Sequence, residues 1–384
     1  MRKAVARLLL LAVSLGLSLL VAELAVRIVR PQAVTLVSQG LYEPDPPRRY
    51  RLQPGFHGTV TNRVEFDTPV AINRAGLRGP EVGPRRPGTF RVLALGDSFT
   101  FGVGARQEET YPARLEESMR ARGIQTEVLN AGAPGFGVPD AAAWYEAHGQ
   151  ALQPDLVLLA VFMANDLQDA APGSPKVAAA DGYLAVPGES GGLRRWLYYN
   201  SHLFVLFKTS VLEGPIRSRL GLKEPHARRE QREELSLYSA QPSEMIRGGA
   251  AATERAIAEL ARTAAERKTP VAAILIPSLL QVDPVAWKAR FSGLGVDPAG
   301  YDPDRPTRLF EEMFRRHGVP VYDLTGSFRL AIRDGEPVYY PIDQHLTPEG
   351  YARMARFLAE HLTKGGLLPE SASDTAPRLY GTAE

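Results

Sequence analysis

Arg91-Val92-Leu93-Ala94-Leu95-Gly96-Asp97-Ser98-Phe99-Thr100 decides how this chain is read. Residues 91 to 95 form a short apolar strand pattern, and a glycine-spaced turn and a helix-like segment follow. A serine at the carboxyl end of a buried parallel strand stands where α/β proteins place reactive groups. Far along the chain, Asp343-Gln344-His345 comes just before the helix start Thr347-Pro348-Glu349, with Thr347 as N-cap and Pro348 in the first turn. A serine nucleophile needs a base and a group to orient that base, and this tripeptide offers both.

Outward from that strand, the pattern alternates between strand and helix. Tyr111 to Arg122 reads as a helix with Thr110 as N-cap and Gly123 past its end. Thr126 to Asn130 reads as a strand and Pro139 to Gly149 as a helix. Asp155 to Phe162 (DLVLLAVF) is a near-continuous apolar run, the mark of a strand buried on both faces. Thr253 to Arg267 (helix), Val271 to Ile276 (strand), Pro306 to His317 (helix), Pro320 to Leu324 (strand) and Thr347 to Leu362 (helix) complete the series. Alternation of this kind predicts a parallel sheet covered by helices on both faces.

Four further segments frame this pattern. Residues 1–30 are expected to form a signal-anchor or transmembrane segment. Arg2, Lys3 and Arg7 precede an uncharged apolar run from Leu8 to Ala22. From Leu8 to Val26 the segment covers about 19 residues, or about 28 Å as a helix, close to the thickness of a bilayer core. Basic residues ahead of it favour keeping the N-terminus in the cytoplasm and exporting the rest. A cleavable signal peptide is the rival reading, but Glu23-Leu24-Ala25-Val26-Arg27 shows no small-x-small cleavage pattern. Residues 31–88 read as a β-rich lead-in, ending in the turn Ile72-Asn73-Arg74-Ala75-Gly76-Leu77-Arg78-Gly79. Residues 89–364 form the main domain, interrupted at about 170–243 by an insertion with two aromatic segments, Leu193 to Tyr199 and Leu203 to Lys208. That insertion is expected to be helical. It packs on the domain, covers the site as a lid, or rests a basic, aromatic face on a membrane. Residues 365–384 read as a polar, disordered tail.

Composition narrows the function classes. The chain has 384 residues, 44% hydrophobic and 23% charged, enough for a large core. Lys+Arg total 45 against Asp+Glu 43, so the net charge of +2 gives no electrostatic case for nucleic-acid binding. The absence of cysteine excludes disulfides, thiolate metal sites and a cysteine nucleophile. His57, His148, His202, His226, His317 and His361 show no metal-ligand spacing. No metal or organic cofactor is expected.

Gly96-Asp97-Ser98-Phe99, Asn130-Ala131-Gly132-Ala133-Pro134-Gly135, Asn165-Asp166 and Asp343-x-His345 occur in that order. Together they resemble the four blocks of the SGNH/GDSL hydrolase superfamily, over roughly Phe90 to Leu362. The resemblance implies a three-layer α/β/α sandwich with a mostly parallel, flavodoxin-like sheet. The lead-in and the N-terminal anchor are also similar to those of bacterial exported members, some of which act on acyl groups of extracellular polysaccharides. It implies a bacterial inner-membrane protein whose catalytic domain faces the periplasm.

Ser98 would be the nucleophile, His345 the general base and then acid, and Asp343 the acceptor that fixes the imidazole tautomer. On an extended loop, side chains two residues apart point the same way, which would bring Asp343 to His345. The resemblance supplies three oxyanion donors: the backbone N–H of Ser98, the backbone N–H of Gly135 and the side-chain amide of Asn165. Asp97 is expected to order the turn rather than join the chemistry. Two positions depart from the superfamily. Its acid and base are often spaced Asp-x-x-His, and members linked to polysaccharide acylation can show the shorter spacing found here. Its third block usually has glycine where this chain has Met163, a change expected to narrow the acyl pocket.

The resulting expectation is a serine esterase that hydrolyses an acyl ester, acetyl in the first instance, through an acyl-serine intermediate. Its substrate would be an acylated small molecule, lipid or polysaccharide. Two rivals use the same sequence. One is an O-acyltransferase that passes the acyl group to an extracellular polysaccharide. The other is a non-catalytic envelope protein that binds a glycan or an assembly partner.

Overall fold

The computed structural model describes residues 2–46, 49–172, 177–178, 182–185, 192–212 and 226–370. A helix, α1 (Arg2–Val29), opens the chain and is long and apolar enough to cross a membrane. The lead-in then supplies five short strands: β1 (Leu36–Val37), β2 (Tyr42–Pro44), β3 (Tyr50–Leu52), β4 (His57–Thr61) and β5 (Asp67–Ala71). β2 and β3 pair as an antiparallel hairpin, and β1, β4 and β5 form a small antiparallel sheet.

The main sheet has five strands: β6 (Phe90–Gly96), β7 (Thr126–Gly132), β8 (Leu156–Phe162), β11 (Val271–Ile276) and β12 (Val321–Asp323). Between β8 and β11 lies a two-stranded antiparallel hairpin, β9 (Val177–Ala178) and β10 (Leu184–Ala185). The main strands lie in the order β12-β11-β8-β6-β7, all parallel. From β6 the chain crosses first to β7 on one side and then back to β8 on the other. The order therefore reverses beside β6, and the crevice outside the carboxyl ends of β6 and β8 is the switch point where such sheets bind ligands.

Alternate residues of these strands enter two separate cores. Leu93, Leu95, Val157, Leu159, Val161, Ala273 and Leu275 face one layer of helices. That layer comprises α4 (Val138–Ala147), α9 (Glu244–Glu266) and α12 (Arg305–Arg316). Val92, Ala94, Leu156, Leu158, Ala160, Ala272, Ile274 and Ile276 face the other. There the cover is α3 (Tyr111–Ala121), α13 (Thr325–Arg333) and α14 (Pro348–Lys364). Burial on both faces explains the unbroken apolar run of β8. Leu41, Tyr50, Leu52, Ile72 and Leu77 of the lead-in join the first core rather than forming one of their own.

Several elements differ from the reading of the sequence. Helix α9 starts at Glu244, not Thr253, with the Ser243 hydroxyl accepting from the Ile246 N–H at 3.3 Å. Gly248 and Gly249 lower helix propensity and so mask this first turn. A β-carbon at Gly249 would stand 1.8 Å from the Leu167 carbonyl oxygen, so the crossing of α9 over α5 (Asp166–Asp169) demands a bare backbone there. Two helices, α10 (Leu279–Val282) and α11 (Pro284–Leu294), add to those read from the pattern, as does α13. The tail does not begin at 365. Leu368 is buried in the second core, because its apolar side chain folds back past the end of α14. The remainder of that expected tail, 371–384, lies outside the described residues.

The described part of the insertion holds β9, β10, α6 (Leu193–Asn200), α7 (His202–Phe207) and α8 (His226–Ser236). Residues 173–176, 179–181, 186–191 and 213–225 of it lie outside the described set. Helix α7 packs against α1.

Candidate active site

Ser98 is the first residue of a four-residue helix, α2 (Ser98–Phe101), that springs directly from β6. The Asp97 carboxylate caps it, accepting from the Phe99 N–H at 2.9 Å. As the first helical residue, Ser98 has an N–H with no acceptor inside the helix. This short helix rests on the end of β7. A β-carbon at Gly132 would lie 2.2 Å from the Phe101 backbone nitrogen, so glycine there lets the two segments touch. Asn130 completes the join by accepting from Gly132 N–H at 3.0 Å and donating to the Phe101 carbonyl at 3.3 Å.

After β7 the chain turns through Ala133-Pro134-Gly135-Phe136, closed by a Phe136 N–H bond to the Ala133 carbonyl at 3.0 Å. Pro134 then Gly135 at φ +82° is the residue pattern of a type II turn. The Tyr50 hydroxyl donates to the Pro134 carbonyl at 3.0 Å. Because the peptide is trans, holding that carbonyl toward Tyr50 aims the Gly135 N–H the opposite way.

Asn165 precedes α5 at the end of β8. Its amide gives one hydrogen to the Asp169 carboxylate at 3.0 Å, and an amide NH₂ carries two. Met163 does not narrow a pocket. It is fully buried in the first core and its sulfur accepts from the Thr307 hydroxyl at 3.6 Å, because α12 lies against that side of β8.

The fourth segment brings the residues together. His345 Nε2 lies 2.9 Å from Ser98 Oγ, and His345 Nδ1 hydrogen-bonds Asp343 Oδ1. The loop is not extended as the sequence reading supposed. Residues 341–343 form a turn, Gln344 adopts φ +67°, and its N–H bonds the Tyr340 carbonyl at 3.0 Å. A left-handed residue between them is what swings Asp343 and His345 to one side. The His345 ring lies 4.9 Å from the Phe99 ring, which stacks at 4.0 Å on Phe162.

Three side chains that carried no motif support this loop. Thr35 Oγ1 donates to Asp343 Oδ2 at 2.7 Å. The Glu65 carboxylate accepts from the N–H groups of Ile342 at 2.8 Å and Asp343 at 2.9 Å. Tyr340 donates to the Gly104 carbonyl at 2.8 Å, tying the loop to the segment after Ser98. Burial alone would raise the pKa of Asp343. Hydrogen bonds from His345 and Thr35 outweigh it and hold the carboxyl below the ordinary range.

Arg78, noted in sequence only as part of a turn, is buried. Its guanidinium donates to the carbonyls of Phe101 and Gly102, each at 2.7 Å, and of Ala105 at 2.6 Å. Burial lowers its pKa to about 10, so it remains charged at neutral pH. Beside the His345 loop, Gln344 edges an open cleft of about 410 Å³ walled by Leu279, Leu280, Ala286 and Leu294, with Gln231 of α8 at its rim.

A hydroxyl, an imidazole and a carboxylate in hydrogen-bonded series, with N–H donors at three neighbouring strand ends, is an arrangement suited to acyl transfer.

No curated protein matches the chain significantly. Among solved structures, the acetyl xylan esterase AlAXEase is 14% identical, with 71% of this chain and 100% of that one covered and a TM-score of 0.40. An α/β hydrolase from the metagenome of Lake Arreo, Spain, is 17% identical over 73% of this chain and 96% of its own, at 0.39. A catalytic mutant of an acetylxylan esterase from Geobacillus stearothermophilus is 14% identical over 73% and 95%, also at 0.39. These likenesses do not bear on what the chain acts on. The family model of the GDSL-like lipases and acylhydrolases matches residues 94–353, from within β6 into α14. The chain belongs to the GDSL-like lipase/acylhydrolase family, and it is a hydrolase acting on esters.

Proposed function

We propose that the protein is a serine esterase in which Ser98, His345 and Asp343 form the catalytic triad. The observation that carries this reading is the double engagement of His345, with Nε2 at 2.9 Å from Ser98 Oγ and Nδ1 on Asp343. Asp343 keeps the ring proton on Nδ1, which leaves Nε2 free to accept the Ser98 proton. Ser98 Oγ attacks the ester carbonyl, and the N–H groups of Ser98, Gly135 and Asn165 receive the developing oxyanion. His345 then passes its proton to the leaving alcohol. Water, deprotonated by His345, cleaves the acyl-serine and restores Ser98.

The acyl group is a short one, acetyl in the first instance. The reading further keeps α1 as an uncleaved anchor, with the domain on the side of the membrane away from the cytoplasm. The basic cluster ahead of the apolar run supports that orientation.

The test is turnover of p-nitrophenyl acetate and longer acyl esters by the wild type, Ser98→Ala and His345→Ala. Each variant is expected to lose at least about 10³-fold in kcat. A Ser98→Ala enzyme with full activity would sink the proposal.

A further inference from the structure

Among the described residues outside α1, eight large apolar side chains stand well exposed. Five of them surround the point where the chain leaves α1. Leu193 is 71% exposed, Trp196 59% and Phe207 48%, all on α6 and α7. Val64 sits at the tip of the β4–β5 hairpin, and Ile342 adjoins Asp343. The Glu65 carboxylate next to Val64 holds the Ile342 N–H, so these two belong to one surface. Arg63, beside Val64, is within electrostatic reach of Glu23, Arg27 and His202.

The last turns of α1 are bolted to this region. The Glu23 carboxylate caps the start of α7, accepting from the Ser201 hydroxyl at 2.7 Å and from the N–H groups of His202 and Leu203, each at 2.9 Å. Arg27 donates to the Asn200 carbonyl at 2.7 Å, and the Gln32 N–H donates to His202 Nδ1 at 2.8 Å. Trp196, Tyr198 and Tyr199 of α6 and Lys208 just past α7 are the residue types of a membrane interface. Arg27, Arg30, Arg63, Arg194 and Lys208 add the charge that anionic headgroups attract.

The tether is also short. Thr35 touches Asp343 and lies six residues beyond Val29, the last residue of α1. Six residues span at most about 20 Å when fully extended. With the Thr35 side chain and its hydrogen bond added, the Asp343 carboxylate cannot stand more than about 25 Å from the end of the apolar helix.

We infer that α6, α7, the Val64 tip and Ile342 form one surface that rests on the lipid headgroups around the exit of α1. The candidate site therefore works at the membrane face, on an ester carried by a molecule held in that membrane. The inference rests on α1 as an anchor and on the esterase reading above.

The full chain in vesicles of phosphatidylcholine and phosphatidylglycerol tests it. Since the chain has no cysteine, Phe207→Cys, Val64→Cys and Glu266→Cys can each take a single fluorophore. Glu266 ends α9 on the opposite, amino-end edge of the sheet. A headgroup-level nitroxide lipid is expected to quench the probes at 207 and 64 several-fold more than the probe at 266. Equal quenching at all three, or none, overturns the surface. A fluorogenic lipid ester is expected to turn over at least 10-fold faster in the enzyme's own vesicles than in separate ones. Turnover of p-nitrophenyl acetate with no such preference overturns the membrane-held substrate and leaves the esterase standing. Quenching at 207 and 64 with neither ester hydrolysed upholds the surface and refutes the esterase.

Discussion

The two loops that meet at the Ser98–His345 hydrogen bond are held in opposite ways. The Ser98 turn is built from its own neighbourhood, with Asp97 capping two residues on and α2 lying on the end of β7. The Asp343–His345 turn is held from outside, by Thr35 and Glu65, which lie 308 and 278 residues away in sequence. The proposed nucleophile is held chiefly by chain close to it, whereas the proposed base and orienter depend on Thr35 and Glu65 of the lead-in. Loss of the Thr35 or Glu65 bonds should therefore reach the reaction through Asp343 and His345 and leave Ser98 presented as before.

That contrast can be broken or sharpened in four ways, from the largest effect down. Asp343→Asn keeps the shape but replaces an acceptor-only carboxylate with an amide whose NH₂ can donate to Nδ1 and favour the wrong tautomer. The expected loss in kcat is about 10²- to 10⁴-fold with KM little changed, and a loss below tenfold would mean that Asp343 does not orient His345. Arg78→Met removes three donors to the loop after Ser98 and strands buried carbonyls. It should cost about 3 kcal/mol in urea unfolding. Arg78 is a hydrogen-bonded hold of the lead-in on the loop after Ser98, so an unchanged midpoint would show that loop to be self-sufficient.

Thr35→Val should lower kcat/KM about tenfold, the value of one hydrogen bond to a charged group. Ala286→Trp should come last, slowing long-chain esters several-fold and leaving acetate untouched if the cleft beside Gln344 holds the acyl chain. A like effect on both would place the acyl chain elsewhere.

The depressed Asp343 pKa also fixes the sign of a stability effect. A carboxyl whose folded pKa is below its unfolded value, near 3.9, contributes stability above that value and loses it as pH falls through the folded pKa. The gap in Tm between wild type and Asp343→Asn should be constant near neutrality and close below about pH 4. A gap that persists in acid would mean that Asp343 stabilises the fold by packing alone.

The same contrast governs what could be read in the sequence. The sheet was legible because β8 is apolar without a break and each strand is followed by a helical period. Ser98, Gly135, Asn165 and His345 stand out as candidates because each follows a strand or precedes a helix start, at positions the ordered motifs mark. Thr35, Tyr50 and Glu65 were not. Each is a common residue on a short strand or loop, and what it does depends on a partner brought near only by the finished fold. Met163 misled because its neighbourhood in sequence is the site, while its side chain turns into the core against Thr307. The start of α9 was hidden because a Gly-Gly pair reads as a break, when the crossing over Leu167 requires it.

That crossing has a consequence for how the region between β8 and β11 can vary. A chain that leaves the domain near Ala170 can run through excursions of many lengths before it returns. Its return is not free: at Gly249 the incoming backbone lies directly on Leu167, two residues past Asn165, with no room for a single methyl group. That seam ties the returning chain to the segment beside Asn165, and a change in how the excursion returns would be felt there first.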